Sequence, residues 1–311
     1  FYYRGFVADV IRDFQKAEGS WLKVVSDYAN EPRAADAAMK LGESYAAAGK
    51  NKDAISILSW LIEKFPDYSK VGRAIYMVAE MHFAEKEYRK ALQYFKEYLR
   101  RFPNSTLADE VRARMQQTYF AIASEDESIL PEFERAFPNS PDLAEALFYW
   151  GSKHYEQGDT AKAAEYFYKM ATLFPKHRKA PEALFYAGQI YYSLQKWGYA
   201  ASTLKKYLDL YPKGEHRGEA IKLVGISYVM MERYKEAVQF LKKLLAESKD
   251  LADEAVAHHY LGLAYMKMGK AREAARHLDE AALAYTDLGR FEEAEIVNKL
   301  KEQLPMAGEE Y

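Results

Sequence analysis

Residues 151–175 read GSKHYEQGDTAKAAEYFYKMATLFP, and residues 188–212 read GQIYYSLQKWGYAASTLKKYLDLYP. The two stretches align without a gap. Gly151 falls on Gly188, His154 on Tyr191, Ala163 on Ala200 and Pro175 on Pro212. The same frame continues at Gly225/Tyr228/Ala237 and Gly262/Tyr265/Ala274, there without the proline. It runs backward to Gly42/Tyr45/Ala54/Pro66 and Ala79/His82/Ala91/Pro103. From Gly151 the glycines stand at 188, 225 and 262, a step of 37 each time, and Gly42 to Ala79 is the same step. A fixed period of this length marks a stack of small helical units, none of which can bury its apolar face alone. Gly or Ala lets a first helix, A, lie close against a second, B, while Tyr and Phe fill the space between units. Phe65-Pro66-Asp67, Phe102-Pro103-Asn104, Phe137-Pro138-Asn139, Phe174-Pro175 and Tyr211-Pro212 close the B helices, because proline keeps the residue before it out of the helical region. Gly49-Lys50, Gly158-Asp159 and Gly269-Lys270 suit the short turn from A to B. Ser69, Ser105 and Ser140 are expected to cap the A helices that follow.

The pattern resembles the tetratricopeptide repeat (TPR), a helix–turn–helix of about 34 residues with small residues at the helix contact and Pro at the end. The resemblance implies an all-α fold, a right-handed α-solenoid of about seven TPR helix-turn-helix repeats plus capping helices. The expected organisation is an atypical N-terminal helix pair at 1–33, with Trp21 and Val25 facing inward, and repeats 1–2 at 35–105. A degenerate repeat and candidate hinge follows at 107–140, then repeats 4–7 at 144–288 and a capping helix at 290–304. In the degenerate repeat the positions expected for Gly, Tyr and Ala hold Arg114, Gln117 and Asp126, and Pro131 interrupts helix B.

Bulk composition excludes several alternatives. Of the 311 residues 49% are hydrophobic and 29% charged, so the chain folds. A net charge of −2 offers no field for nucleic acid. Without cysteine there are no disulfides, thiol nucleophiles or thiolate metal sites. No apolar run is long enough to span a bilayer. The chain starts at Phe1, as in a processed protein or a piece of a longer one.

The chemistry-bearing residues form no catalytic constellation. HExxH, P-loop and GxSxG motifs are missing. His82 and His154 occupy the Tyr slot of the repeat and are read as packing residues. The adjacent His258 and His259 point about 100° apart on a helix and do not chelate together. No catalytic residue, metal or cofactor is expected. In a TPR stack the informative surface is the concave face of the A helices. There the resemblance places Tyr76 and Phe83, then Phe148, Ser152 and Tyr155, then Phe185, Gln189 and Tyr192. Lys222, Ile226 and Val229, and His259, Leu263 and Met266, follow. Glu145, Glu182 and Glu219 give this groove an acidic edge. Aromatics and acids in place of Lys, Asn and Arg argue against the clamp by which chaperone-binding TPRs hold a C-terminal carboxylate. Flat, rigid rings suit a peptide or helix segment of another protein. The candidate partner-binding residues are Tyr76, Phe148, Tyr155, Phe185, Gln189 and Tyr192.

The linker style, Phe-Pro-[Asp/Asn]-Ser ahead of an Ala-rich A helix and a Tyr-rich pair, is similar to a group of bacterial cell-envelope TPR proteins. These include the lipoprotein of the outer-membrane β-barrel assembly machine and the Tol-associated periplasmic coordinator. The chain departs from the lipoprotein in having more repeats and no cysteine to carry lipid. The resemblance implies a non-catalytic scaffold or adaptor of an envelope assembly, in the periplasm or at the envelope, with the cytoplasm as the alternative. The other expectation is a structural spacer or self-associating, stacking subunit.

Overall fold

The computed structural model describes residues 1–10 and 14–304; residues 11–13, within the expected N-terminal pair, lie outside the described residues. Among the described residues the structure is helical throughout, with seventeen α-helices. α1 (Tyr2–Val10) and α2 (Phe14–Asp27) come first. Successive A–B hairpins follow: α3 (Pro32–Ala47) with α4 (Asn51–Lys64), α5 (Val71–Ala84) with α6 (Tyr88–Arg101), and α7 (Ala108–Ala123) with the short α8 (Leu130–Ala136). Next are α9 (Pro141–Glu156) with α10 (Thr160–Leu173), α11 (Ala180–Ser193) with α12 (Trp197–Leu210), and α13 (Arg217–Met230) with α14 (Tyr234–Glu247). α15 (Leu251–Lys267) with α16 (Ala271–Asp287) and the single α17 (Phe291–Glu302) complete the chain. The helices form two compact units that divide between Leu143 and Ala144, inside α9.

In the first unit Met39, Leu58, Leu61, Ile75, Val78 and Phe95 form one buried cluster, and Trp21, Val24 and Leu41 another. In the second unit the core runs through Phe167, Met170, Leu184, Leu204, Leu241 and Leu278, all at most 3% exposed. The small residues act as expected at the A–B contact. A Cβ at Gly188 would lie 2.5 Å from Leu204 Cγ, and one at Gly151 would lie 2.8 Å from the Phe167 ring. A second device recurs twelve residues on. The ring in the Tyr slot of helix A packs on a ring of helix B in the pairs His82–Tyr94, His154–Tyr166, Tyr228–Phe240 and Tyr265–His277, with centroids 5.5 to 5.7 Å apart. His82 and His154 are buried, and the Nδ1 of His82 is hydrogen-bonded to Glu87 Oε2 at 2.6 Å in the turn that follows.

Helices α4, α6, α8, α10 and α12 all stop one residue short of the aromatic that precedes the linker proline, as the steric restriction ahead of proline requires. The A–B turns at Gly49, Gly158 and Gly269 take positive φ, a region open to glycine without steric cost. Lys86, Gln195 and Glu232 adopt the same conformation at φ of 60°, 56° and 59°. The capping expectation holds at one serine. Ser140 Oγ accepts the Asp142 N–H at 3.2 Å. Ser69 and Ser105 do not cap, because α5 and α7 start after Lys70 and Leu107. Ser105 Oγ is instead 3.0 Å from the Tyr98 hydroxyl.

Residues 107–140 also depart from the sequence reading. α7 begins at Ala108, as α5 begins at Val71, which preserves the 37-residue step and moves the register by two. The aromatic slot is thus filled by Tyr119 rather than left to Gln117. Tyr119 is 1% exposed and stacks on Phe133 at 5.3 Å with planes 6° apart. Its hydroxyl donates to Glu132 at 3.0 Å. Pro131 lies in the first turn of α8 and interrupts no helix, since the N–H it lacks would be unpaired there. Asp126 accepts the Ser128 N–H at 2.9 Å at the start of the 3-10 turn Glu127–Ile129.

Candidate functional site

Five of the six candidate residues lie on α9 and α11 in the second unit. Tyr76 belongs to the first unit. It is half-buried against Phe95 and Tyr98, and its hydroxyl donates to Glu110 at 2.6 Å.

On α9, Tyr155 is 56% exposed, and on α11, Gln189 is exposed. Together with Ser152, Glu156, Phe167, Tyr186 and Ile190 they line a cleft of 350 Å³. The floor is rigid. Phe167 of α10 is 3% exposed, with Phe148 packed on it at 5.3 Å and Tyr186 edge-on at 5.9 Å. Phe148 therefore supports the cleft from behind, its other face covered by the Lys179 ammonium at 4.5 Å.

Phe185 does not face the groove. It is 4% exposed and stacks on His216 with centroids 4.2 Å apart. Adjacent helical residues point about 100° apart, so Phe185 turns into the core and its neighbour Tyr186 takes the cleft position. Tyr192 is half-buried, edge-on to Trp197 at 5.2 Å. Burial, with the nearby Tyr260 and Glu219, pushes its phenol up to about 12. Ile226 and Val229 of α13 are each 5% exposed, so the groove positions of that helix are core.

The acidic edge is largely neutralised. Glu145 is paired with Lys179 at 2.8 Å and His177 at 3.3 Å, and the Lys179 hydrogen bond holds its carboxyl below the usual range. Lys222 bonds Glu219 and also Asp253, the latter at 3.0 Å. Glu182 is different. It lies beside Tyr186, whose phenol is raised by burial first, then by a hydrogen bond to Glu182 and by the charges of Glu182 and Glu215.

Among the described residues no three His, Asp or Glu side chains come together as a metal site. His258 and His277 do approach across α15 and α16, Nδ1 to Nδ1 at 2.9 Å, with Tyr265 stacked on His277.

The sequence matches the tetratricopeptide repeat over residues 8–69 and 40–106, and again over 145–177 and 182–214. These matches span more than half of the chain. The chain belongs to the tetratricopeptide-repeat family. The latter two matches are the hairpins α9–α10 and α11–α12, so the cleft of this TPR protein lies between two A helices of adjoining repeats. TPR repeats generally mediate protein–protein interaction, and proteins built from them are generally non-catalytic scaffolds.

Among solved structures, this TPR protein is similar to PilW, described as a type IV pilus biogenesis factor. Identity is 20% over 74% of this chain and 99% of that one, with a TM-score of 0.39. A tetratricopeptide repeat protein from Parabacteroides merdae is 14% identical over 86% of this chain and 97% of that one, with a TM-score of 0.34. The TPR2AB domain of yeast Sti1, in complex with pHSP90, is 13% identical over 86% of this chain and 97% of that one, with a TM-score of 0.35. No curated protein matches the sequence. No helix among the described residues is long and apolar enough to cross a membrane.

Of the cleft lining, sequence reasoning missed Glu156, Phe167, Tyr186 and Ile190. Glu156, Tyr186 and Ile190 each stand one position past a residue the repeat pattern singled out, and Phe167 belongs to α10. The cover that His216 places over Phe185 comes from a linker, and no helical periodicity signals it.

Proposed function

We propose that this TPR protein is a non-catalytic interaction scaffold that holds a peptide or helix segment of a partner protein in the α9–α11 cleft. The observation that carries this reading is Tyr155. A large ring left more than half exposed beside an exposed amide, over a packed aromatic floor, is a surface whose apolar area is still to be covered. The linker likeness directs the search for the partner to a bacterial envelope assembly.

The test is cross-linking pull-down from a native envelope extract with a photo-reactive group at Gln189. Wild type is compared with a Tyr155→Glu variant whose helicity has been checked by circular dichroism. Cross-links that map to α9 and α11 and disappear in the variant support the reading. Identical capture by both proteins sinks it.

The spacer or stacking reading has its own observation. Phe291 and Ile296 of α17 are 68% and 52% exposed, and Tyr3, Phe6 and Val7 of α1 are also exposed. Sedimentation equilibrium over a wide concentration range decides it, since a constant monomer mass excludes self-stacking.

A further inference from the structure

The charges around the α9–α11 cleft are distributed unevenly. On the A-helix faces of this unit Glu145, Glu219 and Asp253 have cationic partners in the chain. Among the described residues Glu156, which lines the cleft, forms no ion pair, and neither do Glu182 and Glu215, whose charges act on the cleft residue Tyr186. Three cations on these helices are engaged elsewhere. Lys153 lies over Trp150 at 4.1 Å, Lys179 is bonded to Glu145, and Lys222 bridges two carboxylates. Among the described residues no Lys or Arg lines the cleft, whose lining includes Tyr155, Tyr186 and Gln189.

We infer that the partner's segment is basic and seats a lysine or arginine side chain in this cleft, its cationic head against the tyrosine rings and the Glu156 carboxylate, with the charge of Glu182 acting from the Tyr186 side. Tyrosine faces attract cations through the ring quadrupole, and the attraction grows as water is excluded. These carboxylates, with which no cation pairs among the described residues, supply the complementary charge, and the Gln189 oxygen accepts a hydrogen bond from the same head group. An acidic segment would meet three like charges and no cation in the lining of the cleft. This inference rests on the cleft being the binding site and adds the chemistry of its occupant.

The experiment uses two short fluorescein-labelled synthetic peptides with identical apolar positions. One carries Lys and Arg at its polar positions and the other Glu. Their binding to the full chain is followed by fluorescence anisotropy. The basic peptide is expected to bind and the acidic one to fail. Glu156→Gln/Glu182→Gln should weaken the basic peptide about fivefold, through one exposed ion pair and one nearby charge. Glu273→Gln/Glu292→Gln, on exposed faces of α16 and α17, should leave it unchanged.

Equal binding of both peptides, binding of neither, or equal weakening by the two double variants overturns the inference. Loss of both peptides on Tyr155→Ala with indifference to Glu156 and Glu182 sinks the cationic occupant and leaves the cleft standing. Binding of the basic peptide that survives Tyr155→Ala/Gln189→Ala overturns the cleft reading itself.

Discussion

Two stretches of A-helix face in the second unit use the same repeat positions and end differently. Between α9 and α11, Tyr155 and Gln189 stand open over a cleft, and among the described residues Glu156 has no cation paired with it. From α11 to α15 those positions are filled from within. Tyr192 leans on Trp197, Ile226 and Val229 are core, and Lys222 ties Glu219 to Asp253. A repeat position therefore sets the direction in which a side chain points. Whether that direction is solvent depends on what neighbouring helices and linkers place in front of it.

The sharpest way to break this comparison is a charge in each stretch. Val229→Asp should cost about 3 to 4 kcal/mol, through an unpaired buried carboxylate and lost packing. Gln189→Asp should stay within about 0.5 kcal/mol, as surface changes do. Urea midpoints by circular dichroism measure both, and equal losses would erase the distinction.

Removing rings comes next. Tyr192→Ala should cost about 2 kcal/mol, while Tyr155→Ala should leave the midpoint almost unmoved and act on binding alone. A Tyr155→Ala protein that melts early would return that ring to the core.

The filled stretch continues to the histidine pair, which adds a pH dependence. Burial, then His258, Arg276 and Lys242, hold His277 down at about 4, and only Glu273 opposes them. Burial also lowers His258, against the pull of Glu280 and Glu254. Unfolded histidine titrates near 6.5. The unfolded chain therefore binds the extra proton first, and stability falls with pH through the window from about 6.5 to 4. After solvent screening the loss is about 1 kcal/mol. His277→Gln should flatten the fall between midpoints measured at neutral and acidic pH.

The smallest effect is at the turns. Gly158 closes the α9–α10 hairpin at φ 82°, whereas Gln195 closes α11–α12 at 56°. Gln195→Gly should raise the melting temperature, with about 0.5 to 1 kcal/mol of relieved backbone strain offset in part by unfolded-state entropy. A lower melting temperature would show that the Gln195 side chain holds the turn by contacts of its own.

The helical hairpins were legible because period, small residue and proline all say the same thing. Gly188 meets Leu204, and α12 ends before Tyr211-Pro212, as those residues alone require. The third repeat was misplaced because its glycine slot is not small. That slot, 37 residues past Ala79, holds Gln116, and the helix start at Ala108 restores the step that puts Tyr119 in the aromatic position. The cleft was half legible. Tyr155 and Gln189 followed from repeat position, and Phe148 came as support. Phe185 failed because His216, from a linker without periodicity, covers it, and Tyr186 was passed over because the repeat position fell on its neighbour.

The glycine seats have one further consequence. They recur with their leucines at 188 and 204, 225 and 241, and 262 and 278. Each seam is closed by residues sixteen apart, and the next begins one full step later. A stretch copied or excised between equivalent glycines would leave every remaining seam with both of its halves. Such a chain can grow or shrink by whole cassettes without inventing a contact, so inheritance can adjust its reach separately from its chemistry.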